Sequence, residues 1–391
     1  MNIAKIRKFI RGRRGQFARI EKACAGVDHI VWVHAASYGE FEEARPIIAQ
    51  IRLAHPEVRI LATFFSPSGY EYLKNDSIAD WVFYLPIDTK PNAKRFLDIV
   101  RPERVIISIS DYWLNFLHEL RRREIPVFLT SARFLPQMRY FKPVGKPWLK
   151  AIKTCFTNII VNDESSKLVL ESNGVCNVLL SGDPRMDRVV ELAAKEWNDP
   201  LVDAWARGAK PFIAGSTLPD EDDESMIELA NANPDDKFII VPHEIGGEQT
   251  KNLRSSIKGG TVLYTELQNG VSSDAQVLII DIVGILSRLY RYGFAAFIGA
   301  GFSGGAPHSV IEPAAYGIPV FFGPNFGPQL HCAKLVAAGA AAAVHSPAEM
   351  LEWYGKLKTD RAVLEKMGTA ALDYCRKGSG VAKAIADIVM A

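Results

Sequence analysis

The chain contains no run of 18 apolar residues, so no segment reads as a transmembrane helix. It shows no apolar core followed by a small-residue cleavage site, so no signal peptide is expected. Its five cysteines (Cys24, Cys155, Cys176, Cys332, Cys375) are odd in number and scattered, and no pair has CxxC spacing. That pattern argues against a disulfide frame and a zinc site, and for a reducing compartment. Short repeats and low-complexity tracts are absent too. The first fourteen residues hold no acid, but they hold Lys5, Arg7, Lys8, Arg11, Arg13 and Arg14. Ile3, Ile6, Phe9 and Ile10 fall among them at helical spacing. Such a segment suits an amphipathic helix on an anionic membrane surface, or a basic helix packed on the protein body.

What is present describes a soluble globular chain. Its 391 residues are 48% apolar and 23% charged, with a net charge of +2, and the length suggests two domains. Strand-like runs lie at 30–33, 59–64, 81–85, 104–109, 126–130, 158–161 and 177–180. Helical patterns separate them at about 41–54, 68–75, 90–100, 112–123 and 164–172. Residues 192–210 read as a link. Strand runs then resume at 211–214, 237–241, 261–264, 276–280, 295–298 and 319–322, and the tail from 346 is helical. Alternation of this kind gives an α/β fold with parallel sheets covered by helices on both faces. We place the domains at 1–197 and 198–391.

In such sheets ligands bind outside the carboxyl ends of strands, so the turns there carry the chemistry. Glu40 follows the first strand, in the first turn of the next helix. It is a general base if a hydroxyl reaches it, or a helix cap. Ser66-Pro67-Ser68-Gly69 forms an anion-facing turn or a plain cap. Asp111 holds a polar group or caps the 112–123 helix. Arg133, in Ser131-Ala132-Arg133, suits a phosphate or carboxylate, or braces its loop. Arg139, Lys142, Lys146 and Lys150 interleave with Tyr140, Phe141 and Trp148, which suits an anionic lipid headgroup; no nucleic-acid module accompanies them. Gly215-Ser216-Thr217 can hold a phosphate, and the acidic run 220–224 reads as a solvated first helical turn. After Gly299-Ala300-Gly301, a helix is expected to start at a Ser309 cap, with Glu312 closing a capping box.

Together, and in this order, these motifs resemble those of the lipid A Kdo transferases, bacterial enzymes that add 3-deoxy-D-manno-octulosonic acid (Kdo) to lipid A precursor. Ser37-Tyr38-Gly39-Glu40 matches their Ser-x-Gly-Glu. Ser110-Asp111-Tyr112-Trp113 stands where the family has an acidic pair before a Trp. Gly182-Asp183-Pro184-Arg185-Met186-Asp187, Val241-Pro242-His243 and Asp281-Ile282-Val283-Gly284-Ile285-Leu286 match later elements. The similarity runs from Arg13-Arg14-Gly15 to the 330s.

The resemblance implies the GT-B architecture: two Rossmann-like domains facing across a cleft that holds the active site, with C-terminal helices. It implies an inverting transfer of Kdo from CMP-Kdo to lipid A precursor at the cytoplasmic face of the inner membrane, by a peripheral protein. Glu40 would be the base, and Asp111 and Arg185 would steady developing charge. Arg185 in a salt bridge with Asp183 or Asp187 is the rival reading. Ser216, Pro242 and His243 would hold the nucleotide phosphate. The backbone of Val283, Gly284 and Ile285 would read the cytosine. Ser309, Val310, Ile311 and Glu312 would bind the donor, Glu312 through its ribose, while Arg133 and Ser68 would meet an acceptor anion. No cofactor, metal or nucleic acid is implied. The chain departs from the family pattern at Ser110, Asp111, Val283, Ile285 and Ser309. Another nucleotide-sugar enzyme of this fold, such as an epimerase, and a non-catalytic lipid-binding relative are the alternatives.

Overall fold

A computed structural model describes residues 3–219, 221–302, 305–327 and 329–391; the side chains of 3–6, 8 and 68 lie outside that description. The chain forms two compact units. The N-terminal unit comprises 1–187 together with 379–391, and the C-terminal unit comprises 188–378.

Seven parallel strands build the N-terminal sheet: β1 (Ile30–Ala35), β2 (Arg59–Phe64), β3 (Trp81–Tyr84), β4 (Arg104–Ser108), β5 (Val127–Ala132), β6 (Asn158–Val161) and β7 (Val178–Leu180). Their order is β3-β2-β1-β4-β5-β6-β7. Successive side chains of a strand face opposite sides, so continuous apolar runs bury both faces. Ile30, Trp32, Leu61, Val105 and Leu129 enter one core, with Phe96, Phe116 and Ile152 from covering helices. Val31, Val33, Ile60, Ile106 and Phe128 enter the other, against Phe41, Ile47 and Ile51 of the helix Tyr38–Ala54. The last helix, Val381–Met390, adds Ile385 and Val389 to that second core. Asp187 accepts the Gly380 and Ala382 N–H groups at 2.6 and 2.9 Å, so a side chain from the end of one segment caps the return of the other. The sequence reading divided the chain once, at 197/198. The packing instead passes between units at 187/188 and again at 378/379, and residues 192–210 lie in the C-terminal unit with Trp205 buried.

The C-terminal sheet has β8 (Phe212–Thr217), β9 (Phe238–Pro242), β10 (Thr261–Leu263), β11 (Val277–Ile279), β12 (Ala295–Ile298), β13 (Val320–Phe322) and β14 (Ala341–Ala343). Their order is β10-β11-β9-β8-β12-β13-β14, again all parallel. β14 has no counterpart among the expected strands.

Both sheets reverse direction of growth beside their first strand, between β1 and β4 and between β8 and β12. Those are the switch points where α/β sheets open a crevice for ligands. Left-handed backbone occurs at this edge, as it also does ahead of the strands at His29, Arg101, Glu124 and Arg207. Ile109, Ser131, Ser216 and Ala300 have φ of 69, 55, 56 and 78°, and lie at the ends of β4, β5, β8 and β12. Left-handed backbone is costly for a side-chain-bearing residue, most of all for β-branched Ile109.

The N-terminal helix, Ile3–Arg13, is docked through Arg13. Its guanidinium donates to the Leu85 and Phe65 carbonyls, both at 3.0 Å, and lies 3.7 Å from the Phe9 ring centre. Ile10 remains 53% exposed, so the helix both packs on the body and presents an apolar side chain outward. Among the described residues no helix is long and apolar enough to cross a membrane.

Candidate active site

The helix Tyr38–Ala54 starts straight after β1, which places Glu40 in its first turn. Glu40 Oε2 accepts the Ala36 and Ser37 N–H groups at 2.6 and 3.3 Å. Ser108, at the end of β4, donates its hydroxyl to the Glu40 carbonyl at 2.7 Å. Oε1 makes no hydrogen bond among the described residues. The capping role is therefore real, but it occupies one oxygen. Burial and the nearby Asp111 charge push the Glu40 carboxyl above its ordinary range, against the pull of the two backbone N–H groups and His34.

Asp111 does not cap the following helix. That helix begins at Leu114, and Asp88, from a separate loop, accepts the Asn115 and Phe116 N–H groups instead. Asp111 Oδ2 sits 2.9 Å from His34 Nε2 and 3.2 Å from Trp113 Nε1. His34 is 1% exposed, and its Nδ1 lies 2.9 Å from Thr63 Oγ1 and 3.1 Å from the Thr63 carbonyl. Thr63 Oγ1 also accepts the Trp32 indole N–H at 2.7 Å. A buried relay, Thr63–His34–Asp111, thus fixes the carboxylate that polarises Glu40. His34 was passed over in the sequence because it lies inside a buried strand run. Its value depends on pairing with β2 and β4, which local pattern does not show.

Arg185 is held by carboxylates, as the salt-bridge reading had it. It meets Asp183 at 2.6 Å, but its second partner is Glu43, at 3.0 Å, and not Asp187. Glu43 lies one turn beyond Glu40. Burial and the Asp183 charge push its carboxyl up to about 8, opposed by Arg185. Arg133 follows β5 and is half-buried. Burial works against ionising Asp163, yet hydrogen bonds from Ser165 and Ser166 and the Arg133 charge hold its carboxyl below the usual range. The Ser68 side chain lies outside the described residues.

In the C-terminal unit, β8 ends in a register shift at Ser216. The glycine-rich turn after β12 packs directly on it: a Cβ on Gly299 would lie 2.4 Å from the Ser216 carbonyl oxygen. Asp222 ties the two turns together, accepting the Leu218 and Ala300 N–H groups at 2.9 and 2.8 Å. Asp222 and Asp223 are 2% and 1% exposed and form a buried clamp, whereas Glu221 and Glu224 are exposed as the solvated turn requires; Asp220 lies outside the described residues. Gln249 donates to Asp223 at 3.1 Å and to the Thr217 carbonyl at 2.9 Å.

Pro242 ends β9, and the His243 N–H donates to Thr217 at 2.9 Å. The exposed His243 ring stacks on His308, with ring centres 4.6 Å apart, and burial and His243 lower the His308 pKa. Asp281 accepts the Thr265 N–H at 3.0 Å and anchors the loop that carries Val283, Gly284 and Ile285. Val283 is 77% exposed there. The helix after the glycine turn is Ile311–Ala315, with Val310 at its cap and no side-chain capping bond. The expected Ser309–Glu312 capping box is therefore not formed, because the helix begins two residues after Ser309. Glu312 stands in the first turn, where its charge reaches Tyr290 and Tyr316. Ser303 and Gly304 lie outside the described residues.

A family model described as 3-deoxy-D-manno-octulosonic-acid transferase (kdotransferase) matches residues 9–188. A 3-deoxy-D-manno-octulosonic acid transferase of Haemophilus influenzae is 26% identical over 380 residues, covering 92% of this chain and 86% of that one. One from Aquifex aeolicus is 27% identical over 311 residues, covering 78% and 77%. Among solved structures, a UDP-GlcNAc 2-epimerase from Neisseria meningitidis bound to UDP-GlcNAc superposes with a TM-score of 0.64 at 17% identity, covering 92% of this chain and 99% of that one. MurG of Acinetobacter baumannii gives 0.59 at 12% identity, covering 93% and 99%. At those identities the structures speak for the fold alone. The N-terminal unit thus carries a 3-deoxy-D-manno-octulosonic-acid transferase domain, relatives of that description align through both units, and the chain has the GT-B fold.

Proposed function

We propose that the protein transfers Kdo from CMP-Kdo to a hydroxyl of lipid A precursor, with inversion, at the cytoplasmic face of the inner membrane. The N-terminal unit handles acceptor and proton; the C-terminal unit handles the donor nucleotide. The observation that carries this reading is the Glu40 carboxyl, with one oxygen fixed by backbone N–H groups, its proton affinity raised, and Asp111 locked beside it. A base must hold the proton it takes, and a raised carboxyl does so better than a free one. Glu40 removes the acceptor hydroxyl proton as the oxygen attacks the anomeric carbon of Kdo. The bond to CMP breaks, and the electron pair leaves on the phosphate.

Asp111 orients the acceptor and keeps Glu40 basic. Arg185, oriented by Asp183 and Glu43, steadies charge developing on the donor. Ser216, Pro242 and His243 hold the CMP phosphate, the backbone at Val283, Gly284 and Ile285 faces the cytosine, and Ser309, Val310, Ile311 and Glu312 form the ribose side. Arg133 and Ser68 serve an anionic group of the acceptor. The N-terminal basic helix and Lys142, Lys146 and Lys150 suit contact with anionic lipid.

The test is Glu40→Gln. Its transfer rate should fall by about a hundredfold or more while CMP affinity, measured by calorimetry, stays as in wild type. Transfer at the wild-type rate overturns Glu40 as the base.

A further inference from the structure

Asp111 also lines a cavity of about 310 Å³ in the N-terminal unit, whose walls include Asn115, Arg139, Tyr140 and Trp148. The wall is built, not incidental. Buried Tyr112 meets the Tyr140 ring edge-on at 4.9 Å. The chain then folds back through turns at Arg139–Phe141 and Pro143–Gly145 into the helix Lys146–Cys155. Gly145 permits that fold-back, since a Cβ there would lie 2.0 Å from the Arg139 carbonyl oxygen. As a result the Arg139 guanidinium lies 5.4 Å from the Tyr140 ring centre and 5.2 Å from that of Trp148. Two aromatic rings orient it, and it makes no ion pair among the described residues. On the floor, Asp88 already caps the helix Leu114–Arg122, and Asn115 Nδ2 donates to the Asp88 carbonyl at 3.1 Å. The anion-binding capacity of the cavity therefore resides in Arg139. Asp111 Oδ1 and Asn115 Oδ1 remain as acceptors.

Aromatic surface, two side-chain acceptors and one oriented cation match a pyranose ring with one anionic substituent. Ring C–H groups pack on the aromatics, hydroxyls donate to Asp111 and Asn115, and the anion meets the guanidinium two-pronged. We propose that this cavity is a subsite for an anionic pyranose of the acceptor; the assignment rests on the transferase reading above. The anion is a phosphate monoester or a carboxylate, since both offer Arg139 the same pair of oxygens.

The test uses the full chain as wild type, Arg139→Gln and Trp148→Ala, with the thermal midpoint as a check on folding. Each is titrated by calorimetry with glucosamine 1-phosphate, with free Kdo and with uncharged N-acetylglucosamine, and assayed for transfer from CMP-Kdo to lipid A precursor. An anionic sugar should bind wild type about tenfold tighter than the uncharged one, and both substitutions should weaken it about tenfold. The acceptor KM should rise by a similar factor, with the CMP-Kdo KM unchanged. Preference for glucosamine 1-phosphate makes the anion a phosphate; preference for Kdo makes it a carboxylate. An unchanged acceptor KM in both variants, or no sugar binding to wild type, overturns the subsite and leaves the transferase reading intact. Sugar binding that is lost in the variants, from a wild type that transfers nothing, supports the subsite and overturns that reading.

Discussion

At Glu40, burial and the Asp111 charge favour the protonated acid, while two backbone N–H groups favour the carboxylate. The net displacement is upward, so activity should fall as pH drops through a value above the ordinary 4.5. Asp111→Asn removes one of the two raising causes. It should move the acidic limb of the kcat/KM profile to lower pH, apart from any loss of rate; a limb that stays in place contradicts the coupling. Glu43 supports a stability prediction. Folded, it keeps its proton to about pH 8; unfolded, it loses it near 4.5. Between those values the folded state binds more protons, so stability falls as pH rises. Glu43→Gln has no such proton to lose. In urea unfolding at pH 5 and pH 8.5 the variant should gain on wild type at the higher pH; parallel behaviour would refute the assignment.

The turns at the strand ends are set by contacts distant in sequence. Asp222 joins the turn after β8 to the turn after β12 through two backbone N–H groups. Asp222→Ala leaves the buried Ala300 N–H unmatched, at about 1–3 kcal/mol, and the half-buried Leu218 N–H at less. It should lower the urea midpoint and weaken CMP binding together, and Asp222→Asn, which keeps an acceptor oxygen, should recover much of both. Loss of stability with unchanged CMP affinity would separate the clamp from the donor site. This clamp shows why Asp222 and Asp223 depart from the solvated turn that Glu221 and Glu224 keep. A cluster of acids in a first helical turn suits solvent and the helix dipole equally well, and Ala300 lies 78 positions away. The Ser309–Glu312 pattern misled for another reason. It fits a capping box, but the backbone enters the helix only at Ile311. Glu40 was legible because a strand, a small-residue turn and a helix follow one another without interruption.

Over the whole molecule, two parallel sheets were readable because doubly buried strands are written as apolar, often β-branched runs. Arg59–Phe64, Asn158–Val161 and Ala295–Ile298 form strands over the expected residues. β14 escaped because Ala341–Ala343 carries no β-branched or aromatic side chain. The helix Val381–Met390 was placed with the wrong neighbours in the linear division. Its apolar face announces burial, but not that Val381, Ile385 and Val389 enter the core around the helix Tyr38–Ala54. The central claim concerns the reaction. The measurement that tests it most directly is the mass of the product when the full chain is given CMP-Kdo and tetra-acylated lipid A precursor. The account predicts a gain of at least one Kdo residue on the acceptor, with release of CMP. An acceptor of unchanged mass, from a protein that binds CMP, would contradict it.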